Sequence, residues 1–169
     1  GDHEVELAET ARRDHATRLA RGAAADGVDV VVVLGGDGTV NEAANGLAGS
    51  ATALGVLPGG STNVFARAIG LPNDPIEATA ELLDAMEAGS IRRVGLGSAN
   101  GRYFCFHVGM GYDAALVEQV ERRASLKRWA GHPLFMYAGL TTFMRHFDRK
   151  NPHFSVQYPD GDNAPDGYL

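Results

Sequence analysis

The chain is poor in cysteine, in basic residues and in long apolar runs, and each shortage narrows the class of protein. Cys105 is its single cysteine and cannot form an internal disulfide, so nothing points to an oxidising compartment. Acidic residues outnumber basic ones by 21 to 15, which argues against a nucleic-acid partner, whose phosphates need neutralising. Apolar stretches such as Val30–Leu34 fall far short of the roughly 20 residues of a membrane span, and no signal peptide is evident. We expect a cytoplasmic protein whose membrane contact is peripheral.

Glycine, by contrast, is abundant. It accounts for 22 of the 169 residues, nearly twice the roughly 7% of an average soluble protein. Eight of these glycines fall between residues 35 and 60, around two turns that each follow a short apolar segment. The remaining composition, 44% hydrophobic and 21% charged, fits a globular chain with a real core.

The first half of the chain alternates strand and helix signals. Val28–Leu34 is a near-continuous β-branched run and Ala53–Leu57 is a second apolar run, so both predict strands buried in a parallel sheet. A further short strand is predicted at His3–Leu7. Helices are predicted over residues 10–25, 39–47, 63–69 and 75–89. The alternation predicts an α/β fold, with helices on both faces of a parallel sheet.

Three of these helices have candidate capping residues. Thr39 and Glu42 have the S/T-x-x-E spacing of a capping box. Asp74 is an N-cap residue followed by Pro75 at the first helical position. Asn63 is expected to cap the helix that it begins.

The second half changes character near residue 90. Arg92–Gly97 and Arg102–Val108 are short β-type runs joined through Asn100-Gly101, a strong hairpin signal. A helical insertion is expected over residues 113–147, and His153–Tyr158 is strand-like. We therefore expect an antiparallel domain to follow the α/β domain.

A basic segment, residues 121–150, overlaps that insertion. Residues 121–150 contain seven basic and two acidic side chains, so the segment carries a formal charge of +5 and the rest of the chain −11. Apolar residues, among them Trp129 and Phe135, are interspersed with the basic ones. One interpretation is an interfacial flap that meets an anionic membrane surface, at which Lys127 and Arg128 contribute charge. The other is an ordinary helix with its apolar face in the core.

The first glycine turn predicts an anion site. A buried strand leads directly into Gly35-Gly36-Asp37-Gly38 and then into a helix, so backbone N–H groups at the helix start can approach a phosphate closely. Asp37 would repel that phosphate unless a cation intervenes or the carboxylate serves a hydroxyl, which implies Mg²⁺. The chain has no Gly-Lys pair for a Walker loop, and Asn41 replaces the third glycine of a Rossmann fingerprint.

A second turn of similar composition, Pro58–Asn63, follows the next predicted strand. Because the carboxyl ends of parallel strands meet at one edge of a sheet, both turns should face the same ligand. Two phosphate-capable turns suit a nucleotide, and Ser61 could donate a hydrogen bond to it.

Together these motifs carry a family resemblance. GGDGTVNEAANGL followed about twenty residues later by GVLPGGSTNVFARAIGLP resembles the diacylglycerol kinase catalytic domain family, which includes bacterial soluble lipid kinases and the sphingosine kinases. The first motif alone is shared with NAD kinases and phosphofructokinases, whereas the pair is specific. The resemblance implies nucleotide contacts at Thr10, Gly35, Gly36, Asp37, Gly38, Thr39, Val40, Asn41 and Ser61.

The resemblance also implies an architecture and a reaction. A nucleotide-binding α/β domain over residues 1–90 is followed by an antiparallel β-sandwich domain over residues 91–169, both incomplete, with ATP between them and a lipid hydroxyl as acceptor. Diacylglycerol is the preferred lipid by resemblance to bacterial members. Relatives carry the Mg²⁺-linked Asp cluster and the general base in a part expected beyond Leu169, so no metal ligand is assigned within the chain. Val64 stands where the family usually has Asp.

Several alternatives stay open. Asp37 is the strongest catalytic carboxylate, acting on either the metal or the acceptor. Asp113 either binds an acceptor hydroxyl, as the resemblance to sphingosine kinases implies, or caps the helix that follows it. An NAD kinase and a non-catalytic ATP-binding module are the competing functions. A homodimer could form through antiparallel edge strands.

Overall fold

Two parallel strands organise the part of the molecule that carries the glycine turns. The computed structural model describes residues 3–111 and, beyond them, 114–115, 117–118, 139, 141 and 155–157. The chain divides into two units, residues 1–107 and residues 108–169, and every element named below lies in the first. Asp113 and, apart from residues 139 and 141, the basic segment 121–150 lie outside the described residues.

Strand β1 (Val30–Gly35) pairs in parallel with strand β2 (Ala53–Pro58), with Val30 opposite Ala53 and Gly35 opposite Pro58. The paired last residues bring the starts of the two glycine turns to one edge of the sheet. The predicted parallel pairing and the shared edge are therefore confirmed.

Four helices surround these strands: α1 (His15–Ala25), α2 (Asp37–Leu47), α3 (Val64–Ala68) and α4 (Pro75–Glu87). The core lies between the two strands and helices α2 and α3, and α1 packs against α2. Its buried side chains are Ala20, Val33, Val40, Ala43, Leu47, Val56 and Ala66. Helices α1 and α2 cross closely at Gly46, where a Cβ atom would lie 2.5 Å from the carbonyl oxygen of Thr17. Gly46 is thus a packing glycine.

An antiparallel hairpin completes the described fold. Strand β3 (Gly97–Ala99) pairs with strand β4 (Arg102–Phe104), and the turn between them has positive φ at Asn100 (50°) and Gly101 (75°). The predicted hairpin is confirmed, although β3 begins only at Gly97 instead of at residue 92. The described residues contain this one antiparallel pair, so the β-sandwich stays a prediction.

Some predicted elements are wrong or shifted. Residues 3–7 form no strand and are exposed, since no neighbouring strand in the described part of the chain pairs with them. Helix α1 begins at His15, five residues later than expected. The capping box at Thr39 and Glu42 does not form, because α2 already begins at Asp37, after Gly36 as its N-cap residue.

Candidate functional site

The two glycine turns pack directly against each other. The backbone N–H of Gly59 in the second turn (residues 58–62) donates to the carbonyl oxygen of Gly35 in the first turn (residues 35–38), at 2.9 Å. A Cβ atom on Gly60 would lie only 2.6 Å from the Cα atom of Gly36. Close contact between the two backbones therefore explains why glycine stands at these positions, whether or not a ligand binds there.

Asn63 holds the second turn in shape. It is only 3% exposed and adopts φ 47°, a left-handed conformation that Asn tolerates better than most residues. Its Oδ1 accepts from the N–H of Gly60 at 2.8 Å, and its Nδ2 donates to the Gly60 carbonyl oxygen and to Oδ1 of Asn73, at 3.0 and 2.9 Å. Asn63 precedes α3, but its side chain makes no capping bond to that helix. The predicted cap is wrong, because these bonds occupy the amide.

Asp37 supplies the cap that α3 lacks. As the first residue of α2 it is half-buried, and its Oδ1 accepts from the backbone N–H of Phe65 in α3 at 3.1 Å. Its Oδ2 accepts from the hydroxyl of Thr62 at 3.2 Å. The carboxylate therefore joins the first turn to the end of the second, a role that chain spacing alone does not reveal.

The start of α2 is open. Gly36 offers no capping side chain, and a Cβ atom on Gly38 would meet nothing within 4 Å. The first N–H groups of a helix have no intrahelical acceptor, and they make the helix start a favourable place for an anion. A cavity of about 410 Å³ lies here, lined in the described part of the chain by Thr10, Ala11, Arg12, Arg13, Gly38, Thr39 and Glu42.

This cavity brings together three of the predicted nucleotide contacts, Thr10, Gly38 and Thr39. A contact at Thr10 is implied by the family resemblance alone, and the structure brings this residue near the start of α2. Arg12 and Arg13 also line the cavity and add positive charge to it, although the sequence motifs do not predict them; their only sequence signal is a pair of consecutive arginines close to Thr10.

Other predicted contacts lie elsewhere. The side chain of Val40 is 2% exposed in the core, and its N–H donates to the Gly36 carbonyl oxygen. The amide of Asn41 bonds to the β3–β4 hairpin, accepting from the N–H of Cys105 at 3.1 Å. Ser61 is exposed in the second turn.

The described residues contain no group of three or more His, Cys, Asp or Glu side chains arranged to hold a metal ion. Asp37 is a single carboxylate with both oxygens hydrogen-bonded, so it fits Mg²⁺ only in combination with ligand oxygens from elsewhere, such as phosphates. Burial raises the pKa of the Cys105 thiol, which favours the protonated, unreactive form at neutral pH. No helix in the described part of the chain is both long and apolar enough to span a membrane.

This geometry defines an α/β domain in which two glycine turns and an open helix start meet at one edge of a parallel sheet. The family model for the diacylglycerol kinase catalytic domain matches residues 2–99. The chain is 38% identical over 127 residues to "Diacylglycerol kinase" of Bacillus subtilis, covering 74% of this chain and 40% of that protein. It is 35% identical over 153 residues to "Probable lipid kinase YegS-like" of Chromohalobacter salexigens, covering 88% of this chain and 46% of that protein.

A solved structure of a diacylglycerol kinase from Bacillus anthracis is 35% identical, with a TM-score of 0.49, and covers 56% of this chain and 34% of that one. The chain belongs to the diacylglycerol kinase catalytic domain family. It spans less than half the length of the curated relatives named above.

Proposed function

We propose that the protein transfers the γ-phosphoryl group of ATP to the hydroxyl of a membrane lipid, most simply diacylglycerol, giving phosphatidic acid and ADP. The observation that carries the proposal is the open start of α2, with Gly38 facing empty space beside two glycine turns at one sheet edge. Family membership and the names of the relatives support a lipid acceptor.

The nucleotide phosphates would be held mainly by the backbone. Gly36 and Gly38 stand at the start of α2, where free N–H groups and the helix dipole attract negative charge. The hydroxyls of Thr10 and Thr39 line the same cavity and can donate to phosphate or ribose oxygens. Ser61 would contribute from the second turn. Gly35 could contribute only through its backbone, whereas Val40 is buried and its N–H is bonded to the Gly36 carbonyl oxygen, so it would support the turn without contacting the nucleotide.

Asp37 is the proposed catalytic carboxylate. Transfer needs the lipid oxygen in line with the γ-phosphorus, and the hydroxyl proton must leave as the new P–O bond forms and the bond to ADP breaks. Mg²⁺ supplies charge neutralisation on the phosphates when it is bound. The bonds from Phe65 and Thr62 fix the orientation of the Asp37 carboxylate. In that orientation it would either accept the proton of the lipid hydroxyl or help to hold Mg²⁺.

The remaining assignments concern the lipid side. We propose that residues 91–169 belong to the lipid-substrate domain, that Asp113 binds an acceptor hydroxyl, and that the protein works in the cytoplasm at the anionic inner face of the membrane. The +5 charge of residues 121–150 supports attraction to such a surface. A homodimer is part of the same proposal.

Asp37→Asn tests the catalytic assignment in the full-length protein. Asparagine keeps one acceptor for the N–H of Phe65, so we expect a melting temperature near that of the parent but almost no ATP-dependent lipid phosphorylation. Asp84→Asn, on the exposed face of α4, is the control with the same charge change and should be fully active. Near-normal turnover in the Asp37 variant would refute the assignment.

The acceptor is identified by incubating the full-length protein with labelled ATP, Mg²⁺ and one of three acceptors: diacylglycerol, a sphingoid base or NAD. We expect label in phosphatidic acid. Label in NADP would support the NAD kinase alternative. Measurable ATP binding with no labelled product would instead support a non-catalytic ATP-binding module.

A further inference from the structure

Two asparagines on one face of α2 bind the backbone of β4. Asn45 accepts from the N–H of Tyr103 through Oδ1 at 2.9 Å and donates to the Tyr103 carbonyl oxygen through Nδ2, also at 2.9 Å. Asn41, one turn earlier, donates to the same carbonyl oxygen at 3.2 Å and accepts from the N–H of Cys105 at 3.1 Å. Asn45 also donates to the Asn41 carbonyl oxygen at 2.8 Å. Both N–H groups and the oxygen of the Asn45 side-chain amide therefore take part in hydrogen bonds.

These bonds occupy the outer edge of the hairpin. In an antiparallel pair, alternate residues turn their N–H and C=O groups away from the partner strand. Tyr103 and Cys105 are such alternate residues, since the two-residue turn makes Ala99 and Arg102 the closing pair. The asparagine amides therefore pair with β4 much as a third strand would, and they leave the Tyr103 backbone satisfied although its side chain is exposed.

The same helix begins at the proposed phosphate site. Gly38 lies at the open start of α2, and Asn45 lies two turns further along the rigid helix, a rise of about 10 Å. Strand β4 lies near the start of residues 91–169, the region that we assign to the lipid-substrate domain. Helix α2 is thus hydrogen-bonded to the start of that region through two uncharged side chains.

We propose that Asn45, assisted by Asn41, is a positioning residue: it fixes β4 on α2 and so sets the place of the lipid acceptor relative to the nucleotide held at the start of the helix. This inference rests on the proposed function. An apolar residue at position 45 would leave the N–H of Tyr103 to solvent water, which satisfies the donor but does not fix β4 on α2.

Asn45→Ala in the full-length protein tests the contact itself. Alanine favours helix, so α2 should be retained. We expect hydrogen exchange at the Tyr103 amide to accelerate by about tenfold or more, because its acceptor is removed. Ser98→Ala is the matched control: Ser98 lies opposite Tyr103 in β3, and its change removes no bond to α2. Unchanged exchange at Tyr103 in the Asn45 variant would overturn the contact.

Steady-state kinetics tests the positioning role. For Asn45→Ala we expect the KM for ATP to stay within about twofold, while kcat/KM for the lipid falls by roughly tenfold to a hundredfold, as small misplacements of a reacting group produce. Ser98→Ala should leave both unchanged. Faster exchange with unchanged lipid kinetics would overturn the positioning role and leave only a structural one.

The two measurements separate this inference from the proposed function. If the parent protein phosphorylates no lipid, the proposed function fails and the positioning role fails with it. The exchange at Tyr103 still reports the contact between α2 and β4. If the parent is active and only the lipid kinetics of Asn45→Ala are normal, the positioning role fails alone.

Discussion

Helices α2 and α4 have similar lengths but begin in opposite ways. Helix α4 is closed by its own sequence: Oδ1 of Asp74 accepts from the N–H groups of Ile76 and Glu77, at 2.8 and 3.1 Å, and Pro75 brings no N–H group. Helix α2 follows Gly36, which has no side chain to offer. A helix start without a cap is less stable, so the open start of α2 is a cost that a ligand can offset.

The acidic and amide side chains of α2 serve its neighbours instead. Asp37 caps α3 through Phe65, and Glu42 accepts from the N–H of Ala16 at 3.3 Å in the first turn of α1. Asn45 binds β4. Helix α2 therefore organises the elements around it while its own N–H groups stay available, which is the arrangement expected where a helix start binds an anion.

The largest effect is expected from adding a second carboxylate to the first turn of α2, which already begins with Asp37. Gly38→Asp has room for its side chain, so the fold should be kept, but its charge would repel the phosphates. We expect ATP affinity, measured by calorimetry in the full-length protein, to fall by about a hundredfold.

Gly38→Asn is the uncharged control of the same shape and should lose less affinity than Gly38→Asp. Equal losses in the two variants would show that space rather than charge governs the site. Undiminished ATP binding in both would show that the phosphates lie elsewhere.

The same contrast separates what the sequence could reveal from what it could not. Asp74-Pro75 is a local signal, and its cap was predicted because every group involved lies within four residues. The shared sheet edge followed from two apolar runs and their turns. By contrast, Asp37 reaches Phe65 across 28 positions and Asn45 reaches Tyr103 across 58. Such partners depend on how the elements pack, so neither role could be read from spacing.

The glycines show the same limit of sequence-based prediction, because residues of one type have different roles in the structure. Gly38 faces open space, Gly46 makes way for α1, and Gly60 presses against the backbone of Gly36. The clustering of glycines points to the two turns, and the family resemblance indicates a nucleotide. Only the structure shows which glycine leaves room for a ligand and which ones allow close contact between parts of the chain.

An effect of intermediate size is expected from substituting Gly60, and it should appear in the stability of the fold. Gly60→Ala would bring a Cβ atom to 2.6 Å from the Cα of Gly36, so backbone must shift. We expect the free energy of unfolding to fall by about 1–3 kcal/mol, measured by denaturant titration. Gly95→Ala is the control, because its Cβ meets nothing within 4 Å and its φ is not positive. A parent-like stability for Gly60→Ala would refute the close contact of the two turns.

The smallest effect is expected from opening the start of α4. Asp74→Ala removes the acceptor for Ile76 and Glu77, so the free energy of unfolding should fall by about 1 kcal/mol. Glu81→Ala, exposed in the middle of the same helix, removes the same charge without a cap and should change stability by much less. ATP affinity should be unchanged in both, because α4 does not line the cavity described at the start of α2. If Asp74→Ala reduced the free energy of ATP binding as much as the free energy of unfolding, both helix starts would contribute to the nucleotide site. The functional difference between them would then be lost.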